Sequence, residues 1–405
     1  MTERLYYADS FLAEFDAAIV TVLEGSRPAL ILDRTAFYPT SGGQVSDTGR
    51  LHTGEKSLRI IEVAEDDQQQ IVHYLEGDLA GLRQGAPVHG IIDMLRRRDH
   101  VQQHSGQHVL SAAFLRLFEM PTLSFHMGAE TCTIDLDAKA ISAEQRKAAQ
   151  DLANQVVMED RQVEIKFVTP QEARAMGVRK LPPQEKLQLR LIDIADFDLT
   201  ACGGTHVLRT GQIGPILLRK IEKVKQGIRV EFVCGQRAIR VLHRDYVALS
   251  EAAEAFSAQL WDVPHQVRKA LENAKTVRKQ QEHSLQELAE FHASRLLSET
   301  EPKNGFRLVS KFFPDRDLMF IKLLAHNVTH RPGMPVVVIL GAGSGEPALV
   351  FSQTTGLHHD MGALMKEAMT LLGGRGGGTR DIAQGTVPRA DRIQTTLAEI
   401  AAQLD

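Results

Sequence analysis

Hydrophobic and polar positions along the first 90 residues follow the alternation that is typical of β-strands. AAIVTVLEG and PALILDRTAFYPT are rich in β-branched and aromatic residues and end at turn signals. LRIIEVAEDDQQQIVHYLEG has the pattern of a hairpin with a polar loop. Several short strands in so little sequence predict a small barrel or sandwich. We expect residues 1–92 to form a small N-terminal β-barrel with a glycine-rich loop.

The pattern changes to a helical period near residue 93. RRRDHVQQHSGQHVLSAAFLRLF repeats its apolar residues as a helix does, whereas TCTIDLD alternates as a strand. An amphipathic helix is predicted after Ser142, where Gln145 completes the pattern of a capping box. Two alternating runs around Gln226-Gly227 predict a hairpin. Residues 93–240 are therefore predicted to form an α+β core in which helices pack on an antiparallel sheet.

The pattern changes again after residue 240. Residues 241–304 are predicted to be a helical linker, either a helical hairpin or short coiled coil, or a plain solvated helix. The heptad that favours the coiled coil has polar members, and its positions are Val267, Ala274, Gln281 and Leu288, with Ala270, Val277, Ser284 and Phe291. Strands and helices alternate in residues 305–405, which predicts a small C-terminal α/β domain. The predicted fold class is α+β, with several domains.

Composition places the chain among ordinary globular proteins. Its 405 residues predict about two to four domains, and its net charge of −4 requires any nucleic-acid contact to come from local basic patches. Three cysteines are too few for a disulfide framework and suit a reducing cytosol, where cysteine beside histidine is a metal ligand. We expect neither a signal peptide nor a membrane span, and a cytoplasmic location.

Two short motifs suggest a metal site. In HSGQH, His104 and His108 are four residues apart, so a helix points both imidazoles to one side. In CGGTH, Cys202 and His206 repeat this spacing, and two glycines between them permit a tight turn. Together they supply three histidines and one cysteine, a full tetrahedral set for one Zn²⁺ per chain.

The chemistry of such a site has two interpretations. No glutamate follows the first histidine, so the zinc-protease motif lacks its general base. Four protein ligands close a tetrahedron, as in structural zinc sites, whereas catalytic sites keep one position open. The ligand set alone therefore leaves both a structural and a catalytic zinc open.

Two further stretches carry groups that can contact a ligand. TAFYPTSGGQVSDTG, residues 35–49, contains Gly42 and Gly43, whose backbone allows close approach, and Gln44, a donor and acceptor. This stretch is equally consistent with a loop between barrel strands. In TLSFHMG, Thr122 and Ser124 offer small hydroxyls that either bond a substrate hydroxyl or cap a turn.

Four of these motifs occur in a fixed order. FYPTSGGQ…DTG, HSGQHVLSAAF, FHMG…IDL and CGGTH together resemble the editing domain of alanyl-tRNA synthetases and its free-standing AlaX-type relatives. GGRGGGTRDIAQG, residues 373–385, is similar to the glycine-rich motif of the synthetase's C-terminal DHHA1 domain. The resemblance is greatest to the long AlaX class, which lacks the synthetase's aminoacylation domain.

The resemblance implies an activity and roles for individual residues. It implies a trans-editing hydrolase that deacylates mischarged tRNA(Ala), chiefly Ser-tRNA(Ala) and also Gly-tRNA(Ala). It carries over all four zinc positions and makes Thr122 the best match for the hydroxyl that senses serine, with Ser124 next. The hypothesis for catalysis is that zinc either activates water or positions the aminoacyl group, with water held by polar neighbours such as Gln44.

RNA contacts require positive charge, which the sequence offers in several places. The candidates are Arg96 and Arg97 in a run of three arginines, Lys220 and Lys223 on the predicted hairpin, and Arg375 and Gly376 in the C-terminal motif. A solvated surface is an equally good interpretation of the charged ones.

Two rival functions remain from sequence. One is a tRNA-binding or dimerisation protein with a structural zinc; the linker and C-terminal domain permit a homodimer, but the sequence leaves the oligomeric state open. The other is a phosphoesterase, because DHHA1 tails accompany such enzymes, but LHHDMG at 357–362 is not their signature and clustered aspartates for a two-metal site are missing.

Overall fold

A computed structural model describes residues 1–178 and 187–404 of the protein. The chain divides into two compact units, Met1–Glu251 and Ala252–Asp405. Both units combine helices with sheets, so the predicted α+β multidomain class is confirmed. Within the described residues, no helix combines the length and apolarity that crossing a membrane requires.

The first unit begins with a closed six-stranded barrel. Its strand order is β2-β3-β7-β6-β5-β8, while β1 and β4 form a short parallel pair beside it. Alternate side chains such as Phe15, Ile19 and Leu51 fill the interior, which is why the predicted alternation yields a barrel. The strands are β1 (Glu3–Arg4), β2 (Glu14–Leu23), β3 (Ala29–Leu32), β4 (Arg34–Thr35), β5 (Gly49–Thr53), β6 (Lys56–Glu65), β7 (Ile71–Glu76) and β8 (Pro87–Ile92).

A buried histidine makes the barrel sensitive to acid. His73 donates from Nδ1 to the Leu30 carbonyl at 3.1 Å, so its Nε2 accepts the Thr35 hydroxyl at 2.8 Å. Burial lowers the pKa of His73 from 6.5 to about 4. Between pH 6.5 and about 4, this histidine is therefore protonated in the unfolded chain but neutral in the folded chain.

We expect the free energy of unfolding to drop by about 3 kcal/mol between the two pKa values because of His73. Urea denaturation at a series of pH values measures this, with His73→Gln as the comparison. The glutamine variant keeps a donor and an acceptor but does not titrate, so its stability should fall less in acid. If the free energy of unfolding fell equally with pH in both proteins, His73 would not be the source of the acid sensitivity.

The rest of the first unit surrounds one long buried helix, α1. A four-stranded sheet, β14-β15-β10-β9, and a three-stranded sheet, β11-β12-β13, are both antiparallel, as predicted. The elements are α1 (Met94–Phe118), β9 (Thr122–Met127), β10 (Cys132–Leu136), α2 (Ala143–Met158), β11 (Val163–Val168), α3 (Pro170–Ala175), β12 (Leu189–Ile194), β13 (Asp198–Ala201), β14 (Ile216–Val224), β15 (Gly227–Cys234) and α4 (Gly235–Ala255). The capping box predicted at Ser142 and Gln145 is present.

Sequence features fix both ends of α1. Asp93 caps its start by accepting the backbone N–H groups of Leu95 and Arg96. Glu119 ends it in a left-handed conformation with φ of 55°. Between these caps almost every residue from His100 to Phe114 is buried, so α1 carries the unit's core and the HSGQH motif together.

The second unit is a five-stranded mixed sheet covered by helices on both faces. The strand order is β16-β17-β18-β20-β19, and only the β16–β17 pair is parallel. One hydrophobic cluster joins α6 and the end of α5 to the sheet, and a second joins α7 and α8 to it. The elements are α5 (Val263–Glu299), β16 (Arg307–Phe313), α6 (Leu318–Thr329), β17 (Val336–Ala342), β18 (Ala348–Gln353), α7 (Met361–Leu372), β19 (Arg375–Gly378), β20 (Ile382–Thr386) and α8 (Ile393–Ala402).

The predicted heptad region lies in α5, a continuous helix of 37 residues. Near the end of α5, Ala289, Ala293 and Leu296 pack against α6 and the sheet of the same unit, whereas Val267 and Val277 are exposed. A helical linker is therefore present, and a coiled-coil partner for its exposed part stays a prediction.

Candidate metal centre

His104 and His108 lie one turn apart on the buried face of α1. Their rings are nearly parallel, with centroids 5.3 Å apart and an interplanar angle of 21°. Both side chains are almost completely buried. The spacing of HSGQH thus brings the two imidazoles to one place, as the sequence predicted.

The two residues that follow His104 fit α1 to its surroundings. The Ser105 hydroxyl accepts the Val207 backbone N–H at 3.0 Å and lies 3.4 Å from Nδ1 of His206. At Gly106, an added Cβ would lie 2.2 Å from the sulfur of Cys234, so α1 approaches β15 too closely for any side chain there. Small residues inside HSGQH are therefore required by packing and not by chain flexibility.

Cys202 and His206 lie in the irregular segment after β13. The buried guanidinium of Arg190 holds this segment from behind, because its Nη1 donates to the carbonyls of Cys202 at 2.7 Å and Gly204 at 3.0 Å. An added Cβ at Gly204 would lie 2.2 Å from Cε1 of His104. At Gly203 the nearest contact would be an ordinary 3.5 Å to the Tyr7 hydroxyl.

The sequence suggested that Gly203 and Gly204 permit a tight turn, but the structure gives a different reason for glycine. Neither Gly203 nor Gly204 has a positive φ, so an unusual turn does not require them. Gly204 is needed because its backbone lies directly against the ring of His104. The close approach of the two motifs, and not the turn itself, explains this residue.

The four side chains converge on one point. One ligand atom from each of His104, His108, Cys202 and His206 lies within 4.8 Å of all the others. The Cys202 sulfur is 3.3 Å from Nε2 of both His104 and His206. A tetrahedral zinc shell spaces its sulfur and nitrogen atoms roughly 3.5 Å apart, so the set fits a metal with little movement.

The electrostatics of the cluster also suit a cation. Burial raises the pKa of the Cys202 thiol, but the surrounding histidines outweigh burial and hold this pKa well below its usual value. Burial lowers the pKa of His206 to about 3. Burial likewise lowers the pKa of His108, but the Cys202 thiolate and the Asp198 carboxylate together raise it to about 9. A thiolate with imidazoles is the donor set that zinc prefers.

Gln44 forms a second layer around the centre. Its Oε1 accepts Nδ1–H of His104 at 2.7 Å and the Thr205 backbone N–H at 3.2 Å, and its Nε2 donates to the Thr205 hydroxyl at 2.9 Å. These bonds place the proton of His104 on Nδ1 and leave Nε2 free for a metal. Gln44 is fully buried with both ends bonded to protein, so it positions a ligand and is not available to hold water in the cavity.

Asp198 has a similar place beside His108, and sequence reasoning missed it. Its carboxylate lies 3.7 Å from Nδ1 of His108, and both side chains are buried. The only available signal was an aspartate four residues before Cys202, and no spacing rule makes such a position a partner of a distant histidine.

A cavity of about 630 Å³ adjoins three of the four candidate ligands. Its lining includes Gly42, Gln107, Thr122, Ser124 and Thr200, together with His104, His108 and Cys202. Both residues that offer candidate hydroxyls, Thr122 and Ser124, and one glycine of the 35–49 loop therefore contribute to the wall of this cavity.

The two hydroxyls lie on different faces of β9. Thr122 Oγ1 is 2.7 Å from the Ser111 hydroxyl on α1, whereas Ser124 donates to Asp135 at 2.9 Å on the neighbouring strand. A register shift between Asp135 and Leu136 adds one residue to β9, and this bulge separates the two directions.

The glycine pair of the 35–49 loop has two different roles. An added Cβ at Gly43 would lie 2.5 Å from the Phe125 carbonyl, and the Gly43 carbonyl accepts the Met127 N–H at 2.9 Å. Gly43 therefore docks the loop on β9. Gly42 has a φ of +57° and open space around it, and it lines the cavity.

The basic candidates for RNA contact are in varied settings. Lys220 and Lys223 are exposed on β14, and Lys220 pairs with Glu222. Half-buried Arg96 donates to the Ser46 carbonyl at 2.9 Å, which ties it to the 35–49 loop. In the second unit, Arg375 and Gly376 lie on the edge strand β19, which follows α7 directly.

Arg97 does not face solvent. Its side chain is fully buried, and its Nε donates to both oxygens of the equally buried Asp47 at 3.1 and 3.0 Å. Its Nη1 donates to the Ser10 carbonyl at 2.8 Å. The hydrogen-bonding groups of the Arg97 guanidinium are bonded to protein partners, so we do not propose Arg97 as an RNA contact.

Three family models match this chain. They are tRNA synthetases class II (A) at residues 3–96, the threonyl and alanyl tRNA synthetase second additional domain at 189–230, and the DHHA1 domain at 315–405. These matches confirm the resemblance seen in the motifs, and the chain contains regions similar to all three domains in this order.

Particular relatives extend the likeness to the whole chain. The alanyl-tRNA editing protein AlaX-L of Pyrococcus horikoshii is 29% identical over 96% of this chain and 95% of its own length. The alanine–tRNA ligase of Methanothrix thermoacetophila is 32% identical over 98% of this chain, which spans only 44% of that ligase. The ligase of Archaeoglobus fulgidus is 31% identical over 95% of this chain and 42% of its own length.

Proposed function

We propose that this protein is an aminoacyl-tRNA deacylase that removes serine, and also glycine, from mischarged tRNA(Ala). The observation that carries the proposal is a cavity lined by Thr122 and by three members of the four-residue metal-binding group, His104, His108 and Cys202. The likeness to an alanyl-tRNA editing protein along nearly the whole chain supports the same substrate.

The proposed cofactor is one zinc ion held by His104, His108, Cys202 and His206. When bound, zinc supplies a Lewis-acid centre that polarises or positions the aminoacyl group. Gln44 and Asp198 orient the imidazoles from the side away from the cavity, which fixes the direction of their free nitrogens.

The substrate's aminoacyl group is proposed to enter the cavity beside Thr122. A synthetase pocket rejects serine poorly, because serine differs from alanine by one added hydroxyl. A second site built around a polar group binds serine but leaves that group unpaired with alanine, which is the basis of discrimination. Because Gln44 is absent from the cavity lining, we propose that the attacking water is held by polar residues of the lining, namely Gln107, Thr122 and Thr200.

The decisive experiment is deacylation of radiolabelled Ser-tRNA(Ala), Gly-tRNA(Ala) and Ala-tRNA(Ala) by the purified protein, with zinc quantified in the same sample. We expect serine to be released much faster than alanine, at about one zinc per chain. Cys202→Ser, with folding followed by circular dichroism, is the comparison variant and should lose both zinc and activity.

The rival function is a tRNA-binding protein with a structural zinc, which the closed set of four ligands favours. Undetectable deacylation by folded, zinc-loaded protein that still binds tRNA would support this rival and contradict the proposal.

Thr122→Val tests the proposed serine-sensing hydroxyl. Valine keeps the shape but removes the polar group, so we expect the ratio of serine to alanine deacylation to fall roughly tenfold, about 1.4 kcal/mol. Ser124→Ala is the matched control, because its hydroxyl bonds Asp135 and faces away from α1. A larger loss of selectivity in Ser124→Ala would reverse the assignment of the two residues.

A further inference from the structure

A second, smaller cavity adjoins the metal centre from the other side of the segment that contains Cys202. Its volume is about 260 Å³, and its lining includes Tyr7, Phe167, Gln188 and Arg190. It shares the wall formed by residues 201–203 with the larger cavity. The two cavities are therefore separated only by this short stretch of chain.

The three-stranded sheet aligns the groups of the second cavity. Phe167 on β11 and Arg190 on β12 are direct cross-strand partners, so their side chains leave the same face. The Arg190 carbonyl accepts the Cys202 N–H at 3.1 Å, so Phe167, Arg190 and Cys202 lie on neighbouring segments of chain. The Arg190 guanidinium also lies 5.4 Å from the ring centre of Tyr7.

Two features of this cavity are unexplained by folding. Phe167 is 47% exposed although it is a large aromatic residue on the rim of a cavity. Arg190 is only 8% exposed, and its Nη2 is buried without a hydrogen-bond acceptor among the residues that the structure describes. An unpaired buried donor of a charged group is costly, so this nitrogen is suited to an anionic partner.

Gly203 lies on the rim shared by both cavities. It is exposed, its φ is not positive, and an added Cβ would make only an ordinary contact. Neither strain nor packing requires glycine here, in contrast to Gly204. A residue without a side chain leaves more room for a ligand at this shared wall.

We propose that the second cavity binds one nucleotide of a single-stranded RNA 3′ end, next to the nucleotide that carries the ester. Phe167 and Tyr7 supply stacking surfaces, and Nη2 of Arg190 donates to a phosphate oxygen. Aromatic rings beside a basic group are the usual means of holding single-stranded nucleic acid. This inference rests on the proposed function for the identity of the RNA, with the chain passing over Gly203 into the larger cavity.

Phe167→Ala is the test, with Ile61→Ala as a matched exposed apolar residue on the barrel. Deacylation kinetics are measured with Ser-tRNA(Ala) and with 3′-O-seryl-adenosine, which lacks the neighbouring nucleotide. We expect Phe167→Ala to raise KM roughly tenfold for the tRNA, in line with the loss of one stacked base. KM for seryl-adenosine should stay unchanged, and Phe167→Tyr should restore binding of the tRNA. An equal change for both substrates, or none for the tRNA, would overturn the proposal.

Binding of uncharged RNA separates this proposal from the proposed function. Fluorescence anisotropy with a labelled four-nucleotide RNA ending in CCA should give a Kd about tenfold weaker for Phe167→Ala than for Ile61→Ala. If this result were obtained while the wild-type protein showed no deacylation, it would support the proposed nucleotide site and contradict the proposed deacylase function. If the wild-type protein were active and Phe167→Ala bound the RNA as tightly as Ile61→Ala, only the proposed nucleotide site would be contradicted.

Discussion

Gly204→Ala is expected to weaken zinc binding at the proposed metal centre. The new methyl group would lie 2.2 Å from Cε1 of His104, so either the ring or the segment that carries Cys202 must move. Displacing an imidazole of the shell should weaken zinc binding by at least the 10–100-fold typical of losing a supporting contact. Zinc content after gel filtration, and competition with a chromophoric chelator, measure the effect.

Gly203→Ala is the matched control for metal content. It adds the same methyl group one residue earlier, where the nearest atom is the Tyr7 hydroxyl at 3.5 Å. We expect zinc affinity within about twofold of wild type, because this contact is ordinary. Equal zinc loss in the two variants would mean that the segment needs glycine for its backbone and not for its approach to His104.

Arg97→Ala is expected to destabilise the first unit by about 3–5 kcal/mol, the cost of leaving one partner of a buried ion pair alone. The reason is that Asp47 stays buried, with one of its oxygens bonded to the Tyr38 backbone N–H at 2.6 Å. Urea denaturation followed by circular dichroism gives the free energy of unfolding. Arg98→Ala, at the exposed next position, is the control and should change stability by less than about 0.5 kcal/mol.

The double variant Arg97→Met with Asp47→Leu isolates the cause. Replacing both charges removes the unpaired carboxylate, so it should be more stable than Arg97→Ala alone. If Arg97→Ala changed stability little but weakened tRNA binding, the result would contradict the structural role of the ion pair and support Arg97 as an RNA contact.

Local patterns were enough to predict the elements and the ligands. Alternation predicted the barrel strands, and the capping box at Ser142 is present as expected. Fixed spacing within HSGQH and within CGGTH identified the four side chains that converge, because a helix and a short turn each limit the directions of two residues.

The supporting residues could not be found in the same way. Sequence reasoning named Gln44 but not its contact with His104, and it named neither Asp198 nor Arg190, because only the fold brings these residues to their partners. Arg97 belonged to a run of three arginines that suggested a surface patch, yet α1 turns it inward while Arg98 faces solvent. A run of like charges does not reveal which member a helix buries.

The contacts of the 35–49 loop have a consequence for cooperativity. Gln44 bonds His104, the Gly43 carbonyl accepts the Met127 N–H, and Asp47 pairs with Arg97. Each bond joins a loop of the barrel to an element beyond residue 92 and buries polar groups that neither part can satisfy alone. Residues 1–92 and 93–251 lie in one compact unit, and we expect them to unfold together, so that fragments cut between them would be complementary halves and not independent domains.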